Sequence, residues 1–490
     1  MNVGELDPNT PVLVGVGIVD QHIDDPEVAR EPLELMAEAV IRAGQDSGAP
    51  QLLRRVAQIA VPHGRWKYSD PGRELARRIG ADDARTVRAE VGVLQQTLIG
   101  DACERVASGE LAAALVVGGE AGHRLRRAKQ RGVEASETHV DGLPDVTLHP
   151  AKELSSEVER AAGLNRAAGY YAILESAFRA RMGWSVHENR ERISRMYSAF
   201  STIAASNAYA WRPIPVEAEA IMTATAANPM MAFPYTRAHI SSWSVDQAGA
   251  LLFCSAALAT DLGVPAERWV FPLVSTESNH LVNVSNRKNL GRTEAVDAVV
   301  EAALAHVGVQ ADQLTLLDLY SCFPVAVEMF AAALGVEIGT RPLTITGGMP
   351  WAGGPYNNYV IQSTAQMALA LRHSGKDALG MTTCVSGLLT KIGAGVWSTA
   401  APKVSFANID VTDDVAERCV TMPIVADCTG TGDVAGYTVL HGPETRGIVV
   451  LDVPDARTVA CTTDPDSLAS MEQDDWIGRR VDVSHGRLVP

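Results

Sequence analysis

GGMPWAGGPYNNYVIQ, residues 347–362, reads as a glycine-rich loop running into a helix. Glycine allows a backbone to approach a ligand closely, so the loop reads as one wall of a site. Up to Pro355 it holds no acid, base or nucleophile. Its chemistry has therefore been lost or has moved to other residues.

Outward from the loop, β-branched apolar runs alternate with segments whose apolar residues recur at helical spacing. Downstream, DALGMTTCVSG (377–387) reads as a strand. Upstream, RWVFPLVS (268–275) and LTLLDLYS (314–321) read as strands, and RTEAVDAVVEAALAHVGV (292–309) and FPVAVEMFAAALG (323–335) as helices. DQAGALLFCSAALATDLG (246–263) reads as a helix, with Asp246 capping or orienting it. Nearer the N-terminus the plan is similar: strand PVLVGVGIVDQ (11–21), helix EPLELMAEAVIRAGQDSG (31–48), helix VGVLQQTLIGDACERVASGE (91–110) and strand LAAALVVGGEA (111–121). Two α/β stretches of comparable plan suggest an internal duplication with buried sheets. Residues from about 150 to 240 interrupt it as a mostly helical insertion. After about Lys403 the segments become short and alternating between Gly, Pro and Asp turns, the pattern of a small β-barrel with an OB-like outline. The expected domains are 1–265 (with the insertion), 266–405 and 406–490.

Composition bounds the partners. The chain has 490 residues, 47% hydrophobic and 20% charged, with a formal net charge of −16. That balance is globular and argues against nucleic acid, which needs a basic face. The tail carries ten Asp/Glu against five Arg from 430 to 490, which also disfavours the nucleic-acid role of OB folds. The cluster Arg124, Arg126, Arg127, Lys129, Arg131 reads either as a solvated helix face or as a contact for the phosphates of a nucleotide-like ligand. Seven scattered cysteines without CxxC spacing give neither a disulfide framework nor a metal site. No apolar run approaches the ~20 residues that span a bilayer and the N-terminus lacks a leader pattern, so a cytoplasmic protein is expected.

Five stretches in order, GEL-AAALVVGGEA, SSWSVDQAGALLFCS, LLDLYSCFP, GGMPWAGGP and TTCVSG, resemble the thiolase superfamily, and within it the sterol-carrier-protein-like thiolase branch. The resemblance covers residues from about 10 to 402. It implies a five-layered αβαβα fold of two similar halves, whose central helices present reactive groups at their N-termini. There, unpaired N–H groups favour a thiolate or oxyanion. It also implies a cysteine nucleophile, a GHP histidine that activates it, an Asn- or His-containing motif at the thioester oxygen, and a second cysteine that moves the α-proton.

The match of residues is uneven. Counted back from Gly109, the nucleophile's position falls on Gly92, beside Val93, and the GHP histidine falls on Gly354, after Gly353. The thioester-oxygen motif begins with Tyr320. Cys384 stands where the family keeps its acid/base cysteine, followed by the Ser386-Gly387 turn, and Ser242 stands where the family contacts the pantetheine arm. Cys103 and Cys322 read as structural, and Asn357-Asn358 as helix-capping or as oxyanion donors. Tyr320 and Tyr356 are candidate acid/base groups because thiolase-like retro-aldolases, which work with an OB-fold partner, use tyrosines in place of the Cys/His pair.

The expected ligand is CoA or an acyl-CoA thioester, with no covalent cofactor and no metal. Four readings follow: a CoA-thioester binder in lipid, fatty-acid or steroid metabolism without thiolase turnover, a retro-aldol lyase for β-hydroxyacyl-CoA, a weak acyltransferase, and a scaffold subunit. The resemblance leaves open a homodimer or a partner protein bound through the tail.

Overall fold

The computed structural model describes residues 6–150, 154–375 and 377–489. Residues 1–5 and Pro490, which entered the readings of the N-terminus and the tail, lie outside them.

The strands are β1 (Pro11–Asp20), β2 (Gln58–Pro62), β3 (Arg85–Ala89), β4 (Ala113–Ala121), β5 (Val146–Leu148), β6 (Met230–Ala232), β7 (Tyr235–Thr236), β8 (Asp246–Ser255), β9 (Phe271–Ser278), β10 (Leu316–Asp318), β11 (Leu379–Ser386), β12 (Lys391–Ser398) and β13 (Ala407–Asp410). In the tail follow β14 (Thr429–Leu440), β15 (Arg446–Val453), β16 (Ala456–Thr462), β17 (Arg480–Ser484) and β18 (Arg487–Leu488). One sheet runs β1-β8-β4-β2-β3-β5 and a second β10-β11-β12-β9-β13. Strand β13 thus continues the second sheet past residue 406.

The helices Gln95–Ala107 and Tyr359–His373 lie between these sheets, each touching strands of both. Pro32–Asp46 covers the outer face of the first sheet and Glu294–Val307 that of the second. This is the five-layered αβαβα thiolase fold with a small β domain. Both sheets read as continuous apolar runs because they are covered on both faces.

One segment departs from its sequence reading. Residues 246–263 are not one helix: Asp246–Ser255 is strand β8, buried along its whole length between β1 and β4, and only Ala256–Asp261 is helical. A run apolar on all sides cannot be assigned by periodicity, and tertiary pairing decides it. Asp246 therefore caps a different helix, Gly122–Arg131, accepting from the N–H groups of His123 at 2.8 Å and Arg124 at 3.0 Å.

The insertion is mainly helical, including Ala167–Arg181 and Val186–Ala205. In the tail, β14 pairs with both β15 and β17, and β16 with β18, so the five strands close on themselves into a barrel. Strand β6 of the insertion extends it through Ala232 opposite Leu440. Arg457, 1% exposed, donates from the barrel to the Lys288 carbonyl at 3.0 Å and forms an ion pair with Asp452 at 2.6 Å. The barrel is thereby built into the body rather than tethered to it.

Candidate functional site

The two central helices meet N-terminus to N-terminus. Val360, in the first turn of Tyr359–His373, donates its N–H to Gln95 Oε1 of the other helix at 2.9 Å. That bond supplies from across the dyad the cap that Asn358 would be expected to give. Asn358 occupies the N-cap position but makes no side-chain cap bond.

Opposite the start of Gln95–Ala107, the strand register sets a row of residues. Cys384 pairs with Gly393, and Gly393 with Glu277. At Gly393 a side chain would not fit, because a Cβ would lie 2.8 Å from Gln96 Cβ. Lys391, two residues from Gly393, faces the same way because side chains alternate along a strand. Its Nζ donates to the Gly92 carbonyl. Glu277 accepts from Thr97 Oγ1 at 2.5 Å and Asn279 Nδ2 at 3.0 Å.

Burial governs the charges in this row. It pushes the Cys384 thiol up to about 12, against the lowering pull of the Gln96 and Gln95 N–H groups. The thiol is thus neutral despite its place at a helix N-terminus. Burial raises the Glu277 carboxyl, with Thr97 opposing, and lowers the Lys391 amine, with Cys384 and Glu277 opposing. A cavity of about 210 Å³, lined by Val93, Thr97, His149, Asn279, Leu281 and Lys391, opens beside them.

Gly92 lies at the edge of this group in the left-handed region, φ 106°. A Cβ placed on it would lie 3.0 Å from Pro150 Cβ and 3.8 Å from Lys391 Nζ. An amine therefore reaches the space into which a side chain at 92 would project.

The loop 347–358 is arranged differently. Asp318 anchors it by accepting from Thr344 Oγ1 at 2.7 Å, Thr346 N at 3.3 Å and Tyr359 OH at 2.9 Å. Ser242 brackets it, donating its N–H to Met349 O at 3.1 Å and accepting from Gly354 N at 2.9 Å. A Cβ on Gly354 would lie 2.0 Å from Ser241 Oγ and 2.9 Å from Met349 Cε, and one on Gly353 2.2 Å from Gln247 Oε1. The protein's own side chains occupy the room these glycines leave.

Tyr320 and Tyr356 stand in contrasting surroundings. Tyr320 is buried, edge-on to Tyr359 at 5.7 Å between ring centroids, and burial raises its phenol well above the ordinary value. Tyr356 is 44% exposed, with the Arg65 guanidinium 5.8 Å from its ring centroid and 4.3 Å from that of Trp243. Gly387, φ 73°, makes the turn after Cys384. Cys103 is fully buried, with its thiol raised by desolvation.

The basic cluster divides. Arg124 is buried and donates to the Pro26 carbonyl at 3.1 Å and the Ser136 carbonyl at 2.9 Å, while Arg127 and Arg131 pair with Asp24 and Asp25. Lys129 instead shares with Arg65 and Lys67 the rim of an open cavity of about 480 Å³, on which Glu134 and Glu137 also stand. Among the described residues no group of three or more His, Cys, Asp or Glu is placed to hold a metal, and no helix is long and apolar enough to cross a membrane.

The sequence reading passed over Lys391, Glu277 and Thr97. One sign of them was legible: in TKIGAGVWS the only charge falls at the head of an otherwise apolar run. That its amine reaches Gly92 depends on β12 pairing between β11 and β9, which no local pattern contains.

No family model and no curated protein matches the chain. Solved structures do. A monomeric SCP2-thiolase-like protein type 1 from Mycobacterium smegmatis is 29% identical, with 99% of each chain covered and a TM-score of 0.85. The Ltp2-ChsH2(DUF35) aldolase is 17% identical, covering 80% of this chain and 99% of that one at a TM-score of 0.58. Human mitochondrial 3-ketoacyl-CoA thiolase in complex with CoA is 15% identical, covering 80% and 99% at a TM-score of 0.55. The last two share the fold, whereas the first runs the length of the chain, barrel included. Together with the αβαβα body, that whole-length match makes the chain similar, over its full length, to the SCP2-thiolase-like branch of the thiolase superfamily.

Proposed function

We propose that the chain binds CoA or an acyl-CoA thioester, in lipid, fatty-acid or steroid metabolism, without passing through the acyl-cysteine intermediate of a thiolase. The observation that carries this reading is Gly92: the position counted for the attacking thiol has no side chain, yet it keeps its place beside a helix N-terminus. Removing the nucleophile removes the covalent route. It leaves the partial positive charge of the helix N-terminus, which favours a thioester oxygen.

In this reading the pantetheine arm runs past Ser242, Gly353 and Gly354 towards Gly92, Cys384 and Gly387. The phosphates take the rim of Arg65, Lys67 and Lys129, with the exposed Trp243 beside Arg65 as a stacking face. Neutral Cys384 serves as a proton donor rather than a nucleophile. The chain divides into 1–265, 266–405 and 406–490, the last segment lending β13 to the second sheet before it forms the barrel, and works in the cytoplasm, either as a homodimer or with a partner on the barrel.

Calorimetric titration with CoA and with short, long and steroid-like acyl-CoAs tests the reading, followed by mass spectrometry of the same samples. Binding without adduct or product is the expected result. Cleavage of a β-hydroxyacyl-CoA would replace it with the lyase reading, and failure of every ligand to bind would overturn it.

A further inference from the structure

Lys391 is 4% exposed, yet it lines the 210 Å³ cavity together with Thr97 and Asn279, the two residues that hold the Glu277 carboxyl. Its Nζ stands 3.8 Å from where a Cβ on Gly92 would be. No carboxylate lies within 4.0 Å of that amine among the described residues, and its hydrogen bond goes to a backbone carbonyl. A buried ammonium that serves only structure is ordinarily paired. This one faces a cavity, next to a carboxyl that burial raises above its ordinary range and a thiol that burial keeps protonated.

We propose that Lys391 is a Schiff-base-forming amine for short-chain aldehydes or ketones that enter this cavity. The nitrogen lone pair attacks the carbonyl carbon, and the C=O π pair moves to oxygen, which takes a proton. The resulting carbinolamine loses that oxygen as water as nitrogen gives up its protons, and C=N is formed. Glu277 is the group placed to lend and recover the proton, and no external oxidant or reductant is needed. Burial, which favours the free amine at Lys391, supports the chemistry, as it does for lysines in other apolar sites. The assignment does not depend on CoA binding.

The test is reductive trapping on the full chain at pH 7 with butanal as probe. Sodium cyanoborohydride delivers hydride to C=N and leaves a butyl group on nitrogen, which peptide mass spectrometry locates. The other six lysines of the chain serve as internal controls. Lys391 should be alkylated at least roughly ten-fold faster than any of them, as expected of an amine whose free form burial favours. Lys391→Arg should lose that fast phase alone. Leu281→Trp, which fills the cavity and keeps the amine, should slow it to the rate of the other lysines. Alkylation confined to the other lysines, or an undiminished fast phase in Leu281→Trp, would overturn the proposal.

Discussion

Gly92 and Gly354 stand at comparable places, each a few residues ahead of one of the two central helices, and their surroundings are opposite. Around Gly354 the neighbours are Ser241, Met349 and, beside Gly353, Gln247, none of which titrates near neutral pH. Around Gly92 lie Pro150 and the Lys391 amine, which in turn feels Cys384 and Glu277. Where a side chain is missing, its space can be closed by neutral packing or taken over by other chemistry. The fold has done the first at Gly354, and at Gly92 it sets a buried amine beside the gap.

The comparison is most severely tested by Gly354→His. Ser241 Oγ only 2.0 Å from the new Cβ makes this overpacking, with an expected cost of about 2–3 kcal/mol and a matching fall in denaturant midpoint. Adding Ser241→Gly should restore most of it. An unchanged midpoint in the single variant would mean that the loop is as open as the other end.

Gly92→Ala comes next. At φ 106° an alanine is strained, so a loss of about 1–2 kcal/mol is expected. A neutral result would show that the backbone there is free to adjust.

The third effect depends on pH. Burial raises the Glu277 carboxyl above its ordinary 4.5, so the folded state holds that proton more tightly than the unfolded chain does. The stabilisation is complete below pH 4.5 and is lost as pH rises through the raised value. The wild type should therefore lose stability from this group as pH rises above 4.5 towards neutrality. Denaturation of Glu277→Gln across the same range should show a flatter profile; an equal slope would assign the pH dependence to other carboxyls.

The smallest effects belong to the tyrosines. Tyr356→Phe, at an exposed ring, should stay within about 0.5 kcal/mol of the parent, and neither it nor Tyr320→Phe should alter the CoA titration. A parent that cleaves a β-hydroxyacyl-CoA and a Phe variant that does not would move the chemistry to these phenols.

The αβαβα plan was legible because the period of apolar residues differs between helix and strand, as in Pro11–Asp20 and Glu294–Val307. It failed at Asp246–Ser255, a strand buried on both faces between β1 and β4, where the pattern that separates strand from helix vanishes. The barrel showed itself through its turns. Its closure, by β14 pairing with both β15 and β17, is a long-range fact that no local run records.

The site divides in the same way. The sequence by itself determined that glycine stands at 92 and at 354, the positions the resemblance counts for the thiol and the histidine, since residue identity needs no coordinates. It also determined that Cys384 remains. The tertiary structure decided what lies beside these glycines: the Ser241 hydroxyl in the space beside Gly354, and the Lys391 amine, brought by sheet register from 299 positions away, against the carbonyl of Gly92. Register and helix convergence place residues that are distant in the chain within bonding reach, and that placement, rather than composition, sets which of them stay neutral and which can react.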